Sequence, residues 1–128
     1  MAGSLSDAGE NALLDHLLGT ATLTSAVRFV SLHTSANTDA AAGTEVSGGA
    51  YTRVSATFTA TSGGATSNTA AIVFPTATAA WGTITHVGVY SAATAGTYLA
   101  WADLTTAKTV GSGDGFEISA GNLSITLT

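Results

Sequence analysis

The sequence predicts a mainly β domain, an antiparallel β-sandwich or jelly-roll-like barrel with one N-terminal α-helix. Three observations predict it. The 128 residues include one Pro and no Cys, and 45% are hydrophobic, which suits a single compact domain that buries about two-thirds of its unfolded surface. Beyond residue 20, Val, Ile, Thr, Phe and Tyr alternate with small or polar residues in short runs, the period of half-buried strands. Clusters of Gly, Ser, Asn and Ala interrupt those runs roughly every eight to twelve residues, as in sandwiches and barrels.

The helix is expected over residues 5 to 18 of the opening MAGSLSDAGENALLDHLLGT, so that 1–19 is the helical portion and 20–128 the β portion of one domain. Ser4, Ser6 or Asp7 can cap it, Asp7 and Glu10 have capping-box spacing, and Gly19 stands where a left-handed C-cap belongs. Leu13, Leu14, Leu17 and Leu18 form one apolar stripe. That stripe needs cover, from this chain or from a neighbour.

Strands follow at 27–34 (VRFVSLHT), 51–59 (YTRVSATFT), 70–74 (AAIVF), 83–91 (TITHVGVYS), 97–104 (TYLAWADL), 107–110, 115–119 and 123–127 (LSITL). In TITHVGVY, alternation sets Ile84, His86, Gly88 and Tyr90 on one face and Thr85, Val87 and Val89 on the other. Both faces are largely apolar, the mark of a central strand. The connection 35–50, SANTDAAAGTEVSGGA, is read as lying on the surface as a binding loop or an ordered arm, and 59–68, TATSGGATSN, as a loop. GSGDG at 111–115 lacks the Lys of a phosphate loop and the repeated acids of a calcium loop, so it reads as a turn in which Asp114 bonds its own backbone.

Composition excludes several functions. A formal net charge of −5 with only Arg28, Arg53 and Lys108 as cations cannot form the basic stripe that nucleic acid requires. The N-terminus has no basic n-region, so no signal peptide is expected, and no apolar run approaches the roughly 20 residues of a membrane span. Charged residues are 9% of the chain, against about 25% in an ordinary domain. A surface so poor in charge is cheap to desolvate and suits a subunit whose faces are covered in an assembly.

No catalytic, metal or cofactor-binding residue is expected. His16, His33 and His86 show no ligand spacing, and no nucleophile motif is present. His86, in the central strand, reads as a buried histidine satisfied by backbone or hydroxyl partners. Gly88 should leave room for something close, most naturally an aromatic ring. Tyr98 and Trp101 fall on opposite faces of their strand by parity, one in the core and one outside. Trp81, Tyr98 and Trp101 are the candidates for a glycan or partner contact.

Four stretches, in order, resemble a family of small bacteriophage virion structural proteins often labelled phage tail fibre proteins: SLSDAGENALLDHLLG, GTEVSGGAYTRVSATF, FPTATAAWGTITHVGVYSAATAGTYLAWADL and TVGSGDGFEISAGNLSITL. The succession Trp-Gly, Thr-His-x-Gly, a turn, Leu-Ala-Trp and Gly-Asp carries the resemblance. It departs from the usual pattern at Ser91, at Ala95-Gly96 and at Gly-Asp-Gly 113–115. The resemblance implies a virion building block without an active site, made in the host cytoplasm and attached to the particle exterior as a capsid decoration or cement subunit or as a tail or fibre-associated subunit. Its partners would be other virion proteins and further copies of itself, a trimer being the first expectation; the residues themselves point to the stripe Leu13, Leu14, Leu17 and Leu18 as the interface and, with it, to the loop 35–50, as contacts that order only on assembly. The alternative is a glycan-binding adhesion module for host recognition.

Overall fold

The computed structural model describes residues 1–24 and 26–127. Its elements are β1 (Ala2–Leu5), α1 (Asp7–Leu17), β2 (Arg28–His33), β3 (Val54–Ala56), β4 (Ala65–Ser67), β5 (Ile72–Val73), β6 (Gly82–Tyr90), β7 (Tyr98–Val110), β8 (Glu117–Ile118) and β9 (Ser124–Thr126). Seven strands make one curled sheet in the order β3-β2-β6-β7-β1-β9-β4, and β5 pairs with β8 separately. The fold is therefore mainly β with one helix near the N-terminus, in the form of a half-barrel. Its two edge strands are drawn together by the Phe58–Asn68 bridge and by the Thr59 N–H on the Ser67 carbonyl.

Two strands depart from the sequence expectation. β1 occupies residues read as the approach to the helix, and it pairs antiparallel with β7 and parallel with β9, so the sheet is not purely antiparallel. β4 lies inside 59–68, read as loop. Both are short and, apart from Leu5, built of small or polar residues, so backbone pairing rather than apolar alternation forms them. Gly3 is required in β1, because a Cβ there would collide with the Trp101 carbonyl.

The runs at 97–104 and 107–110 form one strand, β7, broken by two irregularities. Between the His86–Asp103 and Ile84–Lys108 pairs, β7 takes five steps while β6 takes two. Between Val89–Ala100 and Tyr90–Tyr98 it takes two steps while β6 takes one, leaving Leu99 as a bulge.

Helix α1 starts at Ser6, whose hydroxyl accepts the Gly9 N–H at 3.1 Å and donates to the Tyr98 carbonyl at 2.6 Å. The third helical position is Gly9, so the Asp7–Glu10 capping box is not formed. Gly9 is the buried point of the helix, set against the bulged Leu99 carbonyl that also accepts the Ser6 N–H. Gly19 takes the left-handed conformation, φ 79°, expected beyond the C-cap.

Val30 and Leu32 pair with Val89 and Val87, which in turn face Ala100 and Ala102 across β7. All are buried, and they join Ile72, Phe74, Trp81, Ile84, Val110, Phe116, Ile118 and Leu123 in one core. β6 is central, paired on both sides as expected. The 111–115 turn is closed by Asp114, whose carboxylate accepts the Gly111 N–H at 2.8 Å.

Candidate functional site

The half of the sheet away from the core carries a polar and aromatic layer, and the arm 35–46 is fastened across it. Asn37 does the fastening. Its side-chain amide donates to the Val87 carbonyl at 3.0 Å and its oxygen accepts the Gly43 N–H at 2.6 Å. The arm is thereby tied to the central strand at a buried residue.

Beneath the arm, the fully buried histidine is His33 and not His86. His33 Nδ1 donates to the Gly43 carbonyl at 3.0 Å, and its Nε2 accepts from the Ser31 hydroxyl at 2.7 Å; a carbonyl only accepts, which fixes this tautomer. Burial pushes its pKa below the ordinary histidine value, against the opposing pull of the Gly43 carbonyl and Glu45. His86 is half-buried, bonds the Thr85 hydroxyl at 2.8 Å and lies 3.4 Å from the exposed Asp103 carboxylate. What sequence alternation missed is the arm: it buries the end of β2 and leaves the rim of β6 open.

Gly88 makes room for this pair. A Cβ there would lie 2.7 Å from Ser31 Oγ and 3.0 Å from His33 Nε2, with the Tyr90 ring next at 3.4 Å. The close neighbours are thus a hydroxyl and an imidazole, with the expected aromatic ring behind them.

A second cluster went unread in the sequence. Arg53 holds Glu45 through two bonds of 2.8 Å, lies 3.7 Å over the Tyr90 ring, and donates to the Ala92 and Ala95 carbonyls at 3.0 and 2.7 Å. Tyr51 donates to Glu45 at 2.7 Å and accepts the Leu32 N–H at 3.0 Å. Burial alone would raise the Glu45 carboxyl, but the bonds from Arg53 and Tyr51 outweigh it and hold the group below the usual carboxylate range. One ion pair therefore joins the arm, the segment leading into β3, and the turn between β6 and β7. The only sequence signal was an acid and an arginine on either side of SGGA. Because these polar atoms are used in holding the fold, the cluster offers no group for chemistry.

The three aromatic candidates separate. Trp81 is 6% exposed, donates to the Gly49 carbonyl at 2.9 Å and meets Tyr51 edge-on; it belongs to the core. Tyr98 and Trp101, placed on opposite faces by parity, lie on the same side, because the extra residue Leu99 reverses the alternation. Tyr98 donates to the Thr38 carbonyl and Trp101 to the Asp39 carboxylate, each at 2.8 Å, and both rings are half-buried.

The helix stripe also separates. Leu13 is half-buried, whereas Leu14, Leu17 and Leu18 are 51, 72 and 73% exposed. Between α1 and the inner face of the sheet lies an open cavity of about 420 Å³, lined by Leu5, Leu13, Phe58, Val89 and Ile125 among others. Among the described residues, no three acids or histidines stand close enough to hold a metal ion, and no helix is long and apolar enough to cross a membrane.

Comparison with known families finds a match, over residues 4–126, to the family described as Gp80, podophage GP4 fiber I protein gp80. No curated protein matches the chain.

Proposed function

Since the chain belongs to the podophage GP4 fiber I protein gp80 family, we propose that it serves as a non-enzymatic, single-domain structural subunit of a bacteriophage virion, associated with the tail or its fibres. Membership of a phage fibre family implies a place in the virion among other virion proteins. The finer reading, a homo-oligomer, first of all a trimer, attached through α1, is supported by one observation: three leucines of the helix stripe face solvent. Single solvent-facing leucines are ordinary, but three in two turns beside an apolar cavity form the kind of patch that marks an interaction site. A capsid decoration role would use the same patch. The fibre name favours the tail, where copies are few; a capsid lattice would carry hundreds. Quantitative mass spectrometry of purified virions measures that number, and a copy count matching the capsid lattice overturns the tail placement.

The glycan-adhesion reading has one observation of its own. The Leu99 bulge sets Tyr98 and Trp101 side by side with the exposed Asp103 nearby, an arrangement of ring faces and acceptors on which a sugar can stack and hydrogen-bond. Trp81 takes no part. A glycan array probed with the intact chain and with Trp101→Ala decides it, a blank array removing this reading.

A further inference from the structure

We infer that the apolar cavity beside α1 is the receptor for the exposed leucine ridge of a second copy of the chain, so that copies join head to tail; this rests on the structural reading above and specifies its contact. The cavity and the ridge are both carried by one helix. Leu13 lines the cavity, while Leu14, Leu17 and Leu18 face solvent. At about 420 Å³ the cavity falls within the roughly 300–1,000 Å³ of pockets that take up whole ligands, and its lining, from Leu5 to Ile125, is almost wholly apolar. It is therefore matched to aliphatic side chains.

Charge completes the match. Arg28 stands at the cavity and donates to the Thr24 carbonyl at 3.3 Å; among the described residues no carboxylate lies within ion-pair distance of it. The other two cations are engaged, Arg53 with Glu45 and Lys108 with the Gly115 carbonyl. Glu10, exposed and four residues before Leu14, shares that residue's helix flank. The ridge thus carries an acid at one end, and the cavity carries a cation at its lip.

A copy that gives its ridge to a neighbour keeps its own cavity free. Such a contact is heterologous and closes into a ring when the rotation between copies permits. The competing arrangement, two ridges packed leucine to leucine about a two-fold axis, would leave the cavity open and Arg28 without an acid.

Sedimentation velocity of the full chain separates the two. Leu17→Asp removes the ridge and Leu23→Asp charges the cavity lip, and each variant is first shown by circular dichroism to keep the wild-type fold. The wild type is expected to associate and each variant alone to be monomeric. Mixed in equal amounts, the two variants should form a one-to-one dimer and nothing larger, because only one intact ridge and one intact cavity remain. Glu10→Arg and Arg28→Glu should each weaken wild-type association about two- to fivefold, as an exposed ion pair does, and the double exchange should restore it. A monomeric wild type, a Leu23→Asp chain that associates as well as wild type, or a mixture that stays monomeric overturns the inference. If it falls while the chain is still found on purified virions, the structural role stands with a different partner; absence of the chain from virions would instead remove that role.

Discussion

Arg53 and Glu45 meet through two parallel bonds of 2.8 Å, with 9% of the arginine side chain exposed. The fork geometry of guanidinium and carboxylate gives the pair both strength and direction. Because Arg53 also takes the Ala92 and Ala95 carbonyls, its loss leaves those two carbonyls and Glu45 Oε1 without a donor, while Glu45 Oε2 keeps the Tyr51 hydroxyl. Arg53→Ala is expected to lower unfolding free energy by about 2–4 kcal/mol, somewhat under the cost of breaking a fully buried pair. Arg53→Lys should recover only part, since an ammonium cannot reproduce the fork. Urea denaturation of the three proteins measures this, and an Arg53→Ala loss within experimental error would show the pair to be incidental.

Stability should fall on the acid side in two steps. His33 is held neutral in the folded chain, with its pKa below the ordinary 6.5; the unfolded chain takes up the proton first, so stability is full above about pH 6.5 and declines as pH falls toward the folded value. Glu45, held below 4.5, adds a second loss as pH falls below that value and the carboxylate is protonated. A series of denaturation midpoints from pH 8 to pH 3 should show both, and His33→Gln should flatten the upper step alone. A His33→Gln profile parallel to wild type would mean that another group titrates there.

Half of this site was legible in the sequence and half was not, for reasons that particular residues make plain. Alternation found β2 and β6 and set Val87 and Val89 opposite His86 and Gly88, because one face of a strand must be apolar. It chose His86 as the buried histidine where the fold buries His33, since the covering arm is held by Asn37, a residue of no hydropathic signal. Parity failed at Tyr98 and Trp101 because a single bulged residue, Leu99, has no signature of its own. The leucine stripe was found, but its orientation depends on Gly9, the small residue that lets the helix approach the sheet. Nor did composition reveal β1 and β4, which exist through backbone pairing.

Gly88→Ala should destabilise the fold by about 1–3 kcal/mol, the usual cost of forcing a methyl into a packed site. The new Cβ would press on Ser31 Oγ and His33 Nε2. Ser31→Ala removes the nearer atom, so the double variant should be more stable than the sum of the single losses predicts, by at least about 0.5 kcal/mol. Strict additivity would place the clash elsewhere.

Leu17→Asp separates folding from assembly. With 72% of the side chain exposed, the substitution should change unfolding free energy by no more than about 0.5 kcal/mol. Incorporation into virions, measured by immunoblot of purified particles from a complemented infection, should nevertheless be lost. Normal occupancy with Leu17→Asp would show that α1 is not the attachment element.

β1 lies between β7 and β9, pairing in parallel with the last strand of the chain. β1 therefore waits for partners made much later, first β7 at residues 98–110 and then β9 at 124–126. Until β9 is made, β1 and β4 each keep open the edge that β9 will pair, exposed to other nascent chains. A chain wired in this way matures slowly, and gains a sheet in which β1 and β9 are locked side by side, so that loosening either strand has to break the same seam.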